Sequence, residues 1–188
     1  MKKTKVLILI SLTILFVSCS NEKKHSNISS IYVLFYTYSF ESRFSRNCDD
    51  IQKDFLKKEN KYLSQNNFFK QGEVLDTIIS DINVLSDIEH ELSILKKDSI
   101  SFNVDVRICC IINYKNKQTK KLNIGGYLAN DVEYKDINCK TNNKLLFLIK
   151  KNIGYYSWLG DNVMRNQNEL KDSSFKRDSV IDYFGKKW

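Results

Sequence analysis

The stretch Asn103-Val104-Asp105-Val106-Arg107-Ile108-Cys109-Cys110-Ile111-Ile112-Asn113-Tyr114 decides the fold class. Val104, Val106, Ile108, Cys110, Ile112 and Tyr114 share one face, while Asp105, Arg107, Cys109, Ile111 and Asn113 share the other. A period of two belongs to an extended chain, because successive side chains leave a strand on opposite sides. A long central strand is therefore expected. Lys115-Asn116-Lys117 supplies a polar turn, and residues 118–124 return with Thr119, Lys121 and Asn123 alternating against Leu122 and Ile124. That pairing predicts a β-hairpin with a three-residue connection. Gly125-Gly126 marks a bulge or turn, after which residues 127–134 add a further short strand.

Working outward, residues 31–38 are rich in β-branched and aromatic side chains and lie between Ser30 and Ser39, which predicts another strand. Residues 39–47 read as a loop or irregular edge strand. A short helix is expected near Asp49, capped by Asp49 or Asp50, with Ile51, Phe55 and Leu56 as its apolar stripe. Between Glu73 and Leu85, Leu75, Ile78, Ile79, Ile82 and Leu85 recur at helical spacing behind Gly72, predicting a second helix. Ser86-Asp87-Ile88-Glu89 fits the S/T-x-x-E capping box and predicts a third, ending near Lys96-Lys97. Asn142 or Asn143 caps a helix striped by Leu145, Leu148, Ile149, Asn152 and Ile153 and stopped by Gly154. The order of elements predicts an α+β domain, an antiparallel sheet of about three to five strands with two to four helices packed on it.

The chain opens with Lys2, Lys3 and Lys5, an apolar run from Val6 to Val17, and then Ser18-Cys19-Ser20. A basic start, a short apolar core and a small residue before the break read as a secretory signal peptide. The run is too short for a spanning helix, which needs about 20 residues. Phe16-Val17-Ser18-Cys19 resembles the lipobox of bacterial lipoproteins, with Phe16 where that motif ordinarily carries Leu or another aliphatic. In overall character the chain resembles small lipoproteins of Gram-negative bacteria, a class with no common activity to carry over. The resemblance implies that Cys19 becomes the lipid-modified first residue, acylated with palmitate-type chains. Each buried CH₂ contributes about 0.8 kcal/mol, so several chains on one sulfur hold a protein stably to a bilayer. The alternatives are a plain signal cut near Ser18 or Ser20, leaving a soluble periplasmic protein, and an uncleaved anchor.

This reading divides the chain into a signal peptide (residues 1–18), a lipidated Cys19 with a flexible polar tether (19–29), an α+β domain (30–160) and a polar C-terminal segment (161–188) in which Asp172-Ser173-Ser174 starts a docked helix. The formal charge of +8 falls to +5 without Lys2, Lys3 and Lys5. The remaining lysines are scattered among Asp and Glu with no nucleic-acid-binding motif, so a solvated surface is expected and a nucleic-acid partner is not. A chain 42% hydrophobic and 12% aromatic can build a core, and the absence of proline excludes collagen-like or Pro-rich architecture.

After Cys19 the cysteines are Cys48, Cys109, Cys110 and Cys139. An oxidising envelope makes all four disulfide candidates, with three full pairings open. Adjacent strand residues face opposite sides, so Cys109 and Cys110 cannot reach one partner together. Cys110, on the more apolar face, suits a small buried hydrophobe. One disulfide or none is expected. No C-x₂-C occurs and only His25 and His90 are present, so neither a metal site nor a cofactor is expected.

No G-x-S-x-G, P-loop, H-E-x-x-H or G-x-G-x-x-G occurs, and no catalytic residue is nominated. Asp49-Asp50 and Asp87/Glu89 read as caps and dipole partners, Asp105 and Arg107 as cross-strand pairs, and Tyr155-Tyr156 and Trp158 as core. The functional expectation is a membrane-anchored, non-catalytic binding or accessory module of the cell envelope, with an envelope protein as partner and the outer membrane favoured over the inner. The alternative is a small periplasmic enzyme, such as a hydrolase, with a site built from dispersed residues.

Overall fold

The computed structural model describes residues 25–37, 45–58 and 74–188. Its centre is a six-stranded sheet of order β2-β1-β3-β4-β5-β6. The strands are β1 (Ile28–Tyr36), β2 (Val74–Ile79), β3 (Val106–Tyr114), β4 (Thr119–Gly125), β5 (Asp131–Tyr134) and β6 (Ile137–Cys139). Every neighbouring pair is antiparallel. The helices are α1 (Cys48–Lys58), α2 (Ile82–Ser93), α3 (Asn143–Asn152), α4 (Asp161–Met164) and α5 (Asn168–Lys171), with a 3₁₀ turn at Tyr155–Trp158. The α+β class stands as expected, with more strands and helices than expected.

The long alternating strand is β3, at the middle of the sheet between β1 and β4. Its register with β1 sets Cys110 opposite Val33 and Cys109 opposite Leu34. From Ile108 to Ile112 the period of two sorts residues to two faces, but the register break between Val106 and Ile108 moves Val104 and Val106, expected on the face of Ile108, to the opposite one. Ile31, Val33, Phe35, Ile108, Cys110, Ile112, Leu122, Ile124 and Val132 join the large core beneath α2 and α3. Leu34, Tyr36, Val106 and Cys109 join a smaller core beneath α1. Each of these side chains is almost fully buried, a gain of roughly 1.5–3 kcal/mol apiece for the aliphatic ones.

One prediction fails. The helical spacing from Leu75 to Leu85 is not one helix: residues Val74–Ile79 form β2, paired with β1 from Ile31↔Ile79 to Tyr36↔Val74. The segment Val74-Leu75-Asp76-Thr77-Ile78-Ile79 is dominated by β-branched residues that favour a pleated surface. Helix α2 begins only at Ile82, because the Asp81 carboxylate accepts hydrogen bonds from Asn83 N–H (2.8 Å) and Val84 N–H (3.0 Å). The apolar matches at 75, 78, 79, 82 and 85 straddle the end of a strand and the start of a helix. Ser86 lies inside α2, so the predicted capping box there does not form. The strand count also rises through β6, joined to β5 by a two-residue turn in which Lys135 (φ 54°) and Asp136 (φ 61°) take left-handed conformations.

Helix α1 forms where expected, but its cap is Asn47, not Asp49 or Asp50. Asn47 Oδ1 accepts from Asp50 N–H (2.9 Å) while Asp50 Oδ2 accepts from Asn47 N–H (3.2 Å), a reciprocal capping box. Helix α3 is capped by Asn142 Oδ1 on Leu145 N–H (3.0 Å) and ends before Gly154 at φ 68°, as the sequence implies. Gly125 sits opposite the register break between Val106 and Ile108, where a Cβ would run into the Asp105 carbonyl.

The C-terminal segment departs from its reading too. No helix starts at Asp172–Ser174; Asp172 instead ends α5, and its carboxylate accepts from Ser174 N–H (2.8 Å) and Asn143 Nδ2 (2.7 Å). Met164, Leu170 and Val180 enter the large core, and Phe175 and Trp188 pack against it.

Candidate functional site

Three polar clusters stand out, and each is assembled by the sheet from distant parts of the chain. At the start of β1, Glu89 of α2 takes hold of the incoming chain. Its Oε2 accepts from Ser26 Oγ (2.7 Å) and Asn27 N–H (2.7 Å), and its Oε1 accepts from Asn27 Nδ2 (3.0 Å). Ser26 Oγ accepts in turn from Ile28 N–H (3.1 Å), and Asn27 O accepts from Lys115 N–H (2.9 Å). Partial burial opposes the Glu89 charge, but these hydrogen bonds outweigh it and hold the carboxyl below its ordinary range. Ser26–Ser29, assigned above to the tether, are therefore part of the folded domain, with Ser26 and Ile28 fully buried.

The second cluster lies inside. Lys150 of α3 and Glu169 of α5 are both fully buried, with Nζ 2.6 Å from Glu169 Oε1. Lys150 also donates to Gln167 Oε1 (2.7 Å) and to the Leu128 carbonyl (3.1 Å), and Tyr156 OH donates to Glu169 Oε1 (3.1 Å). Desolvation lowers the Lys150 pKa against the pull of Glu169. All three ammonium protons are engaged and no part of the side chain meets solvent, so the pair acts as an internal fastener between α3 and the C-terminal segment. Sequence reading missed it, although a signal was present: Leu146, Ile149, Lys150 and Ile153 sit at i, i+3, i+4 and i+7, which places a lysine on the core-facing stripe.

The third cluster occupies the face of the sheet that carries α1. Cys48 and Cys109 form a disulfide with their Cα atoms 5.3 Å apart, whereas Cys110 and Cys139 are buried free thiols. The two strand faces explain this choice, since only Cys109 points toward α1. Burial pushes the Cys110 thiol pKa up, which makes it an inert core residue. Tyr36 OH donates to Asp54 (2.6 Å), and Lys121 pairs with Asp49 (2.9 Å), so α1 is tied down along its length. Asp105 and Arg107 bind each other at 2.6 Å, and Asp105 Oδ1 accepts from Arg46 N–H (2.9 Å). Asn123 donates to Glu133 Oε1 (2.7 Å). Desolvation raises the Asp131 pKa at the neighbouring register position.

These contacts account for most of the acidic and aromatic residues singled out in the sequence. Asp49 and Asp50 are engaged by Lys121 and Asn47, Glu89 by the N-terminal segment, and Tyr155 and Tyr156 are core residues. His90 lies on the exposed side of α2, and among the described residues no group of three His, Cys, Asp or Glu converges as metal ligands. A groove of about 260 Å³ beside β6, lined by Lys97, Asp98, Ile100 and Asn138, is smaller than ordinary ligand sites, which begin near 300 Å³. Among the described residues no helix is long and apolar enough to cross a membrane. Cys19 lies outside the described residues. No family model, no curated protein and no solved structure is matched by this chain.

Proposed function

We propose that this chain is a bacterial envelope lipoprotein: a signal peptide is removed before Cys19, acyl chains on Cys19 hold the protein to a membrane, and the α+β domain serves there as a non-catalytic binding or accessory module. The observation that carries the reading is the N-terminal pattern itself, with Lys2, Lys3 and Lys5 ahead of a twelve-residue apolar run and Phe16-Val17-Ser18-Cys19 at its end. Two further features support it. Ser26, clamped by Glu89, lies only seven positions after Cys19 in the sequence. The Cys48–Cys109 disulfide suits an oxidising compartment. The outer membrane is the favoured location and an envelope protein the favoured partner. Metabolic labelling with palmitate tests the anchor: wild type takes up label and Cys19→Ala does not. Label surviving that substitution would overturn the assignment.

A further inference from the structure

We infer that the hairpin end of the domain, carrying Lys115, Lys117, Lys120 and Lys135, is a docking surface for anionic lipid headgroups that orients the domain on its bilayer. The inference rests on the proposed Cys19 anchor. The structure brings these lysines together where the chain enters the fold. Lys115 and Lys117 belong to the β3–β4 turn, and the Lys115 N–H binds the Asn27 carbonyl directly. Lys120 lies over the Tyr114 ring at 4.6 Å, and Lys135 lies over the Tyr134 ring at 4.9 Å. The two tyrosines are joined through their hydroxyls at 3.0 Å, so both ammonium groups share one aromatic platform. Lys115, Lys117 and Lys135 are exposed and Lys120 half-exposed.

Among the described residues none of the four lysines forms an ion pair, and neither do Lys96, Lys97, Lys140, Lys171, Lys176 and Lys187; what sets the four apart is their position at the end of the sheet where Ser26 and Asn27 lie. Of the nearby acidic groups, Glu89 is committed to Ser26 and Asn27, and Asp136 shares the turn with Lys135. Geometry supplies the partner. From Cys19 to Ser26 the chain reaches at most about 25 Å. Strand β3 alone, nine residues long, extends roughly 30 Å. The end of the sheet nearest Ser26 is thus the end kept next to the headgroups, and it is the end that carries Lys115, Lys117, Lys120 and Lys135. Basic residues close to an anionic leaflet are attracted by its surface potential within about 8–10 Å, and the attraction fades with salt.

The test uses the full protein purified from membranes in mild detergent and reconstituted into vesicles of phosphatidylcholine, with or without phosphatidylglycerol. Lysine acetylation rates are read by mass spectrometry at each position. Phosphatidylglycerol should slow acetylation at Lys115, Lys117, Lys120 and Lys135 about fivefold or more, the effect of a lysine held near an anionic surface. High salt should abolish the difference, and Lys171 and Lys176 should be unaffected. Equal rates at the four lysines in both vesicles would overturn the docking surface while leaving palmitate labelling of Cys19 intact. Wild-type protein that takes up no palmitate yet still shows phosphatidylglycerol-dependent protection of the four lysines at low salt would remove the anchor and leave the surface standing.

Discussion

The two faces of the sheet are closed by different physics. Beneath α2 and α3 lies a large apolar core drawn from all six strands, both helices, the 3₁₀ turn and the C-terminal segment. Beneath α1 the core comprises, among the described residues, Leu34, Tyr36, Cys48, Ile51, Val74, Val104, Val106 and Cys109, with Tyr32, Phe55, Phe102 and Ile111 packed against it. Helix α1 itself contributes just two fully buried side chains, Cys48 and Ile51. An eleven-residue helix is marginal in water by itself. The first face is held by accumulated apolar area and the second by a covalent bond supplemented with Tyr36–Asp54 and Lys121–Asp49. One difference follows in chemistry: the strongly apolar face can enclose the ion pair Lys150–Glu169, whereas the other leaves its charged groups at the rim.

The comparison breaks most severely at the enclosed pair. Glu169→Ala leaves the Lys150 charge buried without a counter-ion, and removing one partner of such a pair costs about 3–5 kcal/mol. Urea unfolding should show that loss, together with release of the C-terminal segment. An unchanged midpoint would mean that Lys150 has found another partner or solvent.

Replacing Cys48 and Cys109 together by Ser is the next largest change. The bond closes a loop with a sequence separation of 61, and a crosslink of this kind stabilises by about 2–4 kcal/mol. The amides of α1 should then exchange much faster while those of α3 keep their protection. Persistent protection in α1 would show that its small apolar core suffices, and the contrast between the faces would disappear.

The smallest effect sharpens the picture at the start of β1. Glu89 is held below its unfolded value of 4.5, so its clamp contributes stability that is present above pH 4.5 and is lost as pH falls through the lower folded value. Protection factors at Asn27 and Ile28, with the intrinsic pH dependence of amide exchange divided out, should be steady from neutral pH down to about 4.5 and fall below it. A Glu89→Gln variant should lose that dependence. Weakening that begins near pH 6 would point to a histidine instead.

Legibility in the sequence followed how local the deciding interaction was. Strand β3, its hairpin with β4 and helix α3 between Asn142 and Gly154 were readable, because period, turn and caps all lie within a short window. Strand β2 was not, since a strand end followed by a helix start imitates one helical stripe, and pairing with β1 settles the matter. The cap of α1 moved to Asn47 for a similar reason: Asn and Asp are both good caps, and backbone geometry selects between them. Cys110 as a buried hydrophobe was legible from its face, while the partner of Cys109 was not.

By itself the amino-acid order determined the α+β class, the central alternating strand and the helix that closes before Gly154. Each depends on neighbours within a few residues, where propensity and periodicity operate. The tertiary structure alone decided that Cys48 meets Cys109, that Glu89 grips Ser26 and Asn27, that Lys150 is sealed against Glu169, and that four lysines from two turns share one end. The first three of these contacts join residues 19 to 63 positions apart along the chain. Nothing local favours them, and only packing of the sheet and its helices lowers the entropic cost of bringing such groups together.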